Sequence, residues 1–225
     1  MIHAIKHIKQ MRKGRTEPQL MKCSNQKIYV VKPLNLMYKR SLVNEYISYR
    51  LGNLLNLPLP EYNIITISRS VLMASPLSEK NFRPGLWFGT IYKRNAKGFT
   101  ADLAISCKNL DQLASMFIFD VWIHNRDRHK DHVLIDKNKL FLIDHDKAFT
   151  GRNWNGEKLI QQSRNANMKV NSHHKYLLHY SDKMNLYREI DRISKLKVTE
   201  LQKVIHSIPK VGVLLKMIKE VYYIF

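Results

Sequence analysis

The stretch from His124 to Phe149, HNRDRHKDHVLIDKNKLFLIDHDKAF, constrains the fold more than any other part of the chain. Val133, Leu134 and Ile135 form one apolar run, and Leu140, Phe141, Leu142 and Ile143 form another. Between them lies Asp136-Lys137-Asn138-Lys139, a polar set of turn formers. Two short apolar runs joined by such a turn predict a β-hairpin. A hairpin returns the chain to its start. With Ile135 beside Leu140, His132 comes to lie beside Ile143 and Asp144, and the loop residue Asp127 falls at the same end. One end of a rigid hairpin therefore gathers carboxylates and imidazoles.

Around this hairpin the apolar period changes along the chain. QLMKC and KIYVVK flank SNQ and predict a second hairpin. From Ser41 to Asn56, Val43, Ile47, Leu51 and Leu54 share one face, which predicts a helix with Ser41 near its cap. Pro58 and Pro60 follow it. YNIITIS and LWFGTIY read as strands. Asn109 to Ile123 repeats apolar residues at Leu110, Leu113, Phe117 and Val121 and again at Ala114, Ile118 and Trp122, a more buried helix that feeds the acidic hairpin. At the N-terminus, Ile2, Ile5, Ile8 and Met11 recur with Lys and His between them, which predicts a basic amphipathic helix. The segment after Thr150 reads as loop-rich. Helices are then expected near 185–195, near 198–207 with Thr199 as cap, and near 211–223, with Pro209 separating the last two. A strand-rich half followed by a helical half predicts an α+β fold of two lobes with a cleft between them. The β-rich lobe is expected at residues 1–98 and the helical lobe at 99–225.

Charge narrows the class of partner. Lys and Arg number 38 against 18 Asp and Glu, a net charge of +20. Such an excess favours anionic partners: nucleotide, RNA, DNA or an acidic protein face. Two cysteines, Cys23 and Cys107, exclude a disulfide framework or a four-cysteine zinc site. No run approaches 18 apolar residues, so no membrane span is expected, and the N-terminus lacks an apolar core of signal-peptide type. A reducing cytoplasm is the default expectation.

The chemistry follows from four positions. Lys32 ends the strand YVVK, and Glu45 sits in the first turns of the next helix, a pairing that can hold an ammonium over a phosphate. Phosphoryl transfer also needs a carboxylate near the attacking hydroxyl and an oxygen ligand for a phosphate-bridging Mg²⁺. Asp127 suits the first role and Asp144 the second. The order Lys, Glu, loop Asp, hairpin Asp is the one protein kinases use. The same region supports a rival reading. His124, Asp127, His129, Asp131, His132, Asp144 and His145 could form a metal-dependent hydrolase centre acting on nucleic-acid phosphates. That reading leaves Lys32, Glu45 and the strand-first organisation unexplained. A third is a non-catalytic RNA- or protein-binding module on a kinase-like fold. Trp87, Trp122 and Trp154 could stack on a base, with core packing expected of Trp122. The His pair of NSHHK is expected to be solvated, and VYYIF to be a packed helix end.

FDVWIHNRDRH, VLI and LFLIDHDKAF together resemble the catalytic core of the HipA-like kinases, in the subgroup of small stand-alone domains. That family reads N-x-D-R-H, two residues, Asn, a hairpin, then I-D-H. Upstream, GRTEPQLMKC and KIYVVKP resemble its phosphate loop and lysine strand, and LVNEYISYRLGNLLNLPLPEY its glutamate helix with the following Leu-Pro-x-Pro. The resemblance runs from about Gly14 to Phe149, and VTELQKVIHSIP is weakly similar to the family's C-terminal helices. It implies a two-lobed protein-kinase-like fold, ATP with Mg²⁺ or Mn²⁺, and a protein substrate with a Ser/Thr acceptor. Carried over by position, Lys32 binds phosphate, Glu45 orients it, and Gly14 and Thr16 with nearby amides cover the phosphates. Asp127 becomes the catalytic carboxylate, Asn125 and His129 shape its loop, and Asp144 is the metal ligand.

One departure stands out. His132 occupies the place of the family's second metal ligand, an Asn. Mg²⁺ prefers oxygen donors, whereas imidazole suits softer metals. Three outcomes are open: preference for Mn²⁺, substitution by Asp131 or a water, or a pseudokinase. Some relatives act as bacterial toxins on tRNA-charging enzymes, so an antitoxin or a tRNA-associated target is a further expectation from the resemblance.

Overall fold

The computed structural model describes every residue except 13, 35, 39, 81, 165–173 and 210–225. Contacts divide the chain into two units. Unit 1 comprises Met1–Leu42 and Pro60–Arg94, and unit 2 comprises Val43–Leu59 and the chain from Asn95 onward. A single cut after residue 98 therefore does not describe the division. Helix α1 (Ser41–Leu54) is the reason, because its apolar face of Val43, Ile47 and Leu51 belongs to the core of unit 2.

Unit 1 is a closed barrel. Its strands are β1 (Ile2–Gln10), β2 (Gln19–Cys23), β3 (Ile28–Lys32), β4 (Tyr62–Ile67) and β5 (Gly85–Ile91), in the spatial order β1-β2-β3-β5-β4. Alternation sends Met21, Cys23, Tyr29, Val31, Ile65 and Trp87 inward, where they are buried together. The β2–β3 hairpin forms as its sequence predicts, from Gln19 opposite Val31 to Lys22 opposite Ile28. The short helix α2 (Arg69–Met73) begins at Ser68, whose hydroxyl accepts from the Val71 N–H.

The N-terminus corrects the sequence reading: residues 2–10 are a strand, not an amphipathic helix. The three-residue spacing of Ile2, Ile5 and Ile8 arises from two register shifts against β2, between Ala4 and Lys6 and between His7 and Lys9. Ile5 and Ile8 are the extra residues of these two bulges and stay exposed, so their spacing reflects the bulge positions and not a buried helical face. Ladder bonds to β2 and a parallel pairing to β4 decide the outcome.

In unit 2, α4 (Gln112–Trp122) forms within the predicted Asn109–Ile123 segment and buries Leu113, Met116, Phe117 and Phe119. The central hairpin is β7 (Val133–Asp136) and β8 (Lys139–Leu142), with Ile135 opposite Leu140 as expected. Its turn is tighter than the predicted four residues. Only Lys137 and Asn138 are unpaired, at φ of +51° and +55°, the left-handed pair that matches strand twist in a two-residue turn. A short β6 (Lys97–Gly98) adds a third strand, and α3 (Ala101–Ile105) is capped by Thr100.

Beyond Thr150 the chain is less loop-like than predicted, since α5 (Gly156–Arg164) forms there. Asn155 Oδ1 accepts from the Lys158 N–H at 3.0 Å, a cap that starts the helix, and Leu159 is buried. Next come α6 (Lys175–His179), α7 (Lys183–Ser194) and α8 (Val198–His206). Thr199 lies inside α8 and is not its cap. The start is held instead by Glu200, whose carboxylate accepts from the Lys197 N–H at 3.0 Å. Ser41 likewise begins α1, but its buried hydroxyl has no hydrogen-bond partner among the described residues. The helix expected at 211–223, VYYIF and residues 171–173 of NSHHK lie outside the described residues, while His174 is fully buried against Phe117 rather than solvated. Among the described residues no helix is long and apolar enough to cross a membrane.

Candidate active site

A buried ion pair frames the site. Asp120, on the inner face of α4, receives Arg128 Nε at 2.6 Å and Arg128 Nη2 at 2.9 Å, and both side chains are fully buried. Burial disfavours the Arg128 charge, but the charge and hydrogen bonds of Asp120 outweigh it and raise the guanidinium above its ordinary value. Arg128 Nη1 also donates to the carbonyls of His132 and Ile143, the residues that open and close the hairpin. Ile143 N–H donates to His132 O at 3.0 Å, extending the ladder by one bond. Asn125 joins the frame: its side-chain amide donates to Asp120 Oδ1 at 2.8 Å, and its backbone N–H donates to Asp120 O at 2.8 Å. Its Oδ1 accepts from the Asp127 N–H at 3.4 Å. Asn125 therefore shapes the loop rather than facing outward.

On this frame the half-exposed groups form a chain of contacts. Lys147 Nζ lies 2.7 Å from Asp127 Oδ1. His129 Nε2 lies 3.4 Å from the same oxygen. The rings of His129 and His132 meet edge to face at 5.2 Å, and His132 Nε2 lies 3.3 Å from Asp144 Oδ2. Burial raises the Asp127 carboxyl pKa, but the Lys147 bond and charge, helped by His132 and His129, hold it below its ordinary value. Asp144 itself has φ +63°, a left-handed conformation unusual for a residue other than glycine. Such strain persists where the surroundings over-determine it, and here the bonds to His132 O and Ile143 O fix the preceding residue.

The segment after the hairpin is clipped to α1. Glu45 is buried, and its Oε1 accepts from the His145 N–H at 3.0 Å. The His145 ring is fully buried, edge-on to Tyr49 at 5.6 Å and to Phe119 at 5.7 Å. The Asn44 side-chain amide reaches the carbonyls of Asp146, Ala148 and Gly151 at 2.7, 3.0 and 2.8 Å. Its Oδ1 accepts from Trp154 Nε1 at 2.7 Å. Asp146 pairs with Arg152 at 2.6 Å. Trp154 and Trp87 are both buried, so neither is displayed for stacking on a base, and Trp122 packs against the unit 2 core.

The remaining sequence candidates belong to unit 1. Lys32 closes β3 opposite Phe88 of β5. Gly14 lies in the β1–β2 connection, which Met11 N–H to Pro18 O at 2.8 Å and Glu17 N–H to Gly14 O at 3.0 Å draw into a turn. Its φ is +113°, and a Cβ there would meet Pro18 Cδ at 3.0 Å, so the position requires glycine. Thr16 is buried beside it, and Glu17 is tied by an ion pair to Lys80.

Could these groups hold a metal? Two ligands at right angles on a small divalent cation stand about 3 Å apart, given bonds of roughly 2.1 Å. His132 Nε2 and Asp144 Oδ2 match that separation. The donor set fits a divalent metal whose remaining positions are filled by phosphate or water, and the nitrogen donor suits a softer ion than Mg²⁺. Asp131 is exposed on the 3₁₀ turn Lys130–His132, on the side of Gly98. Of the donors proposed for a hydrolase centre, Asp127, His129, His132 and Asp144 share the contact chain, but the full set does not converge. His124 bonds Gln162 at 2.9 Å, His145 is buried, and among the described residues no three His, Cys, Asp or Glu are grouped to hold an ion.

Sequence reasoning missed Asp120, Arg128, Asn44 and Lys147. A signal existed for the first: a single carboxylate on an apolar helix face must find a cation if it is buried. Nothing local distinguished Arg128 from its basic neighbours Arg126 and Lys130. Nothing in the local pattern marked Asn44 or Lys147, whose partners lie far along the chain or across the hairpin.

A family model described as HipA-like kinase matches residues 4–215. No curated protein matches the sequence. Among solved structures, the Helicobacter pylori proinflammatory kinase CtkA is similar at TM-score 0.62 and 13% identity, over 96% of this chain and 91% of that one. The Golgi casein kinase with Mn/ADP bound aligns at TM-score 0.41 and 16% identity, over 99% of this chain and 73% of that one. The first of these likenesses shows an α+β, protein-kinase-like fold.

Proposed function

The chain belongs to the HipA-like kinase family, and from its site we propose an ATP-dependent phosphotransferase that modifies a Ser or Thr hydroxyl of a protein. The observation that carries this reading is the contact chain Lys147–Asp127–His129–His132–Asp144 at one end of the β7–β8 hairpin. It offers a carboxylate for an acceptor hydroxyl and a separate carboxylate for a cation within one rigid frame.

In this reaction the acceptor oxygen bonds to the γ-phosphorus as the bond to the β–γ bridging oxygen breaks, and ADP leaves. Asp127 orients the hydroxyl and takes its proton late, as the new bond forms. Lys147 holds Asp127 ionised. Asp144 and His132 would hold Mg²⁺ or Mn²⁺, which when bound neutralises phosphate charge. Lys32 is assigned to the α- and β-phosphates, with Gly14 and Thr16 in the covering loop. An antitoxin, or a target associated with tRNA, is the partner class proposed with this activity.

A second reading has a specific observation behind it. An imidazole in the second ligand position would weaken Mg²⁺ binding, which favours a pseudokinase if no softer metal restores turnover.

The test is incubation with γ-labelled ATP and either Mg²⁺ or Mn²⁺, beside Asp127→Asn and Asp144→Asn variants, with labelled RNA and DNA as a nuclease control. Label on protein in the wild type only supports the kinase. ATP binding without label supports the pseudokinase. Cleaved nucleic acid that stays intact with Asp144→Asn would overturn both.

A further inference from the structure

Unit 1 carries a second feature that the catalytic reading does not use. A groove of about 660 Å³ opens on the outside of the barrel, made wholly of unit 1 residues. Its floor is apolar: Ile8, Ile28, Ile91 and Tyr92. Ile8 and Ile28 are 42% and 38% exposed, although outward strand positions of a barrel normally carry polar side chains.

The rim is cationic. Lys27 is neutralised by Glu61 at 2.9 Å. Lys9 and Arg94 are exposed and meet no acidic partner among the described residues. Beside them, Lys6 stands directly opposite Lys22 in the β1–β2 ladder, and Lys22 is opposite Ile28 of the floor. Like charges placed directly opposite on one sheet face repel each other unless an anion intervenes. The groove is therefore an apolar strip bordered by cations, of which Lys9 and Arg94 meet no carboxylate among the described residues.

Two kinds of partner answer cations, and the floor decides between them. A nucleic acid strand would lay phosphates on the lysines, but its bases stack on aromatic rings, and this floor has one tyrosine among isoleucines. Aliphatic surface is matched by an aliphatic or aromatic side chain. We propose that the groove docks an acidic linear segment of a partner protein. A bulky apolar residue of that segment sits on Ile8, Ile28, Ile91 and Tyr92, and flanking Asp or Glu residues pair with Lys9, Arg94 and the Lys6–Lys22 couple. Docking here would tether a substrate or regulator through a surface separate from the Asp127–Asp144 residues. It does not depend on which reading of that site is correct.

The experiment is selection of a displayed random-peptide library on the full chain, followed by affinity measurement of a synthesised winner. Two variants accompany it, the double reversal Lys9→Glu with Arg94→Glu, and Ile28→Ser. All changed residues are exposed, so thermal unfolding and ATP labelling should match wild type. The expected result is enrichment of peptides with two or more acids close to a Leu, Ile or Phe. The charge reversal should weaken the winner at least 10-fold, Ile28→Ser should weaken it several-fold, and added salt should weaken it further. Enrichment without that pattern, or equal binding to both variants, would overturn the proposal. A single-stranded RNA oligonucleotide that binds the wild type, loses binding on charge reversal and displaces the peptide would instead assign the face to nucleic acid.

Discussion

Lys147 Nζ and Asp127 Oδ1 are 2.7 Å apart, although one residue belongs to the loop before the hairpin and the other follows it. The pair closes the hairpin end from outside and keeps the Asp127 carboxyl below its ordinary pKa, despite partial burial. A carboxylate held this way is a weak proton acceptor but a well-aimed hydrogen-bond acceptor, which suits orientation of a hydroxyl more than early deprotonation.

Replacing Lys147 with Met should therefore reduce phosphoryl transfer by about 10- to 100-fold, the loss of one charge-assisted hydrogen bond of roughly 1.5–3 kcal/mol. Lys147→Arg should keep most of the rate. Steady-state kcat/KM for ATP-dependent labelling checks this, and an unchanged value for the Met variant would reduce the contact to a surface ion pair.

In the proposed metal site His132 Nε2 lies 3.3 Å from Asp144 Oδ2, and a nitrogen donor there is expected to favour a softer ion. Wild type should turn over faster with Mn²⁺ than with Mg²⁺, and His132→Asn should shift the ratio toward Mg²⁺. Titration of each metal at fixed ATP provides the comparison. Equal turnover of the wild type with both ions would remove His132 from metal choice.

The Asp120–Arg128 pair supports unit 2 rather than the chemistry. Asp120→Ala leaves a guanidinium buried without its counter-charge, which costs about 3–5 kcal/mol. Urea unfolding followed by tryptophan fluorescence should show a lower midpoint. A joint change to Asp120→Leu with Arg128→Met should recover much of the loss, because an apolar pair removes the stranded charge.

Cys23 gives a pH signature for the barrel. Burial inside unit 1 raises its thiol to about 11 from 9.0. The neutral thiol is favoured in the folded state, so its contribution is complete below the unfolded value and is lost as pH rises from about 9 to about 11. Two units correspond to roughly 3 kcal/mol at most. Denaturation midpoints should fall over that window, and Cys23→Ala should flatten the slope. The same burial should leave the thiol unreactive toward disulfide reagents at pH 8 until the chain unfolds.

The central hairpin was legible because its determinants are local. Alternating apolar residues and a polar turn specify both the strands and the pairing of Ile135 with Leu140, and geometry then carries Asp144 to His132. The helices α1 and α4 were legible for the same reason, since a 3.6-residue apolar period recurs within each. Where a bulge broke the period, in β1, local reading chose the wrong element. Where one capping residue and a single buried Leu sufficed, in α5, it found no element at all.

By itself, then, the sequence determined the elements whose pattern is self-contained, together with the residues able to carry phosphoryl chemistry. Tertiary structure decided the pairings between residues whose partners lie elsewhere. Asp120 and Arg128 meet because the loop folds back on α4, Asn44 clips carbonyls about a hundred residues later, and Lys147 finds Asp127 across the hairpin. A charge pair is worth its desolvation only in one three-dimensional arrangement. No window of sequence contains that arrangement, because both partners enter it only after the chain has closed.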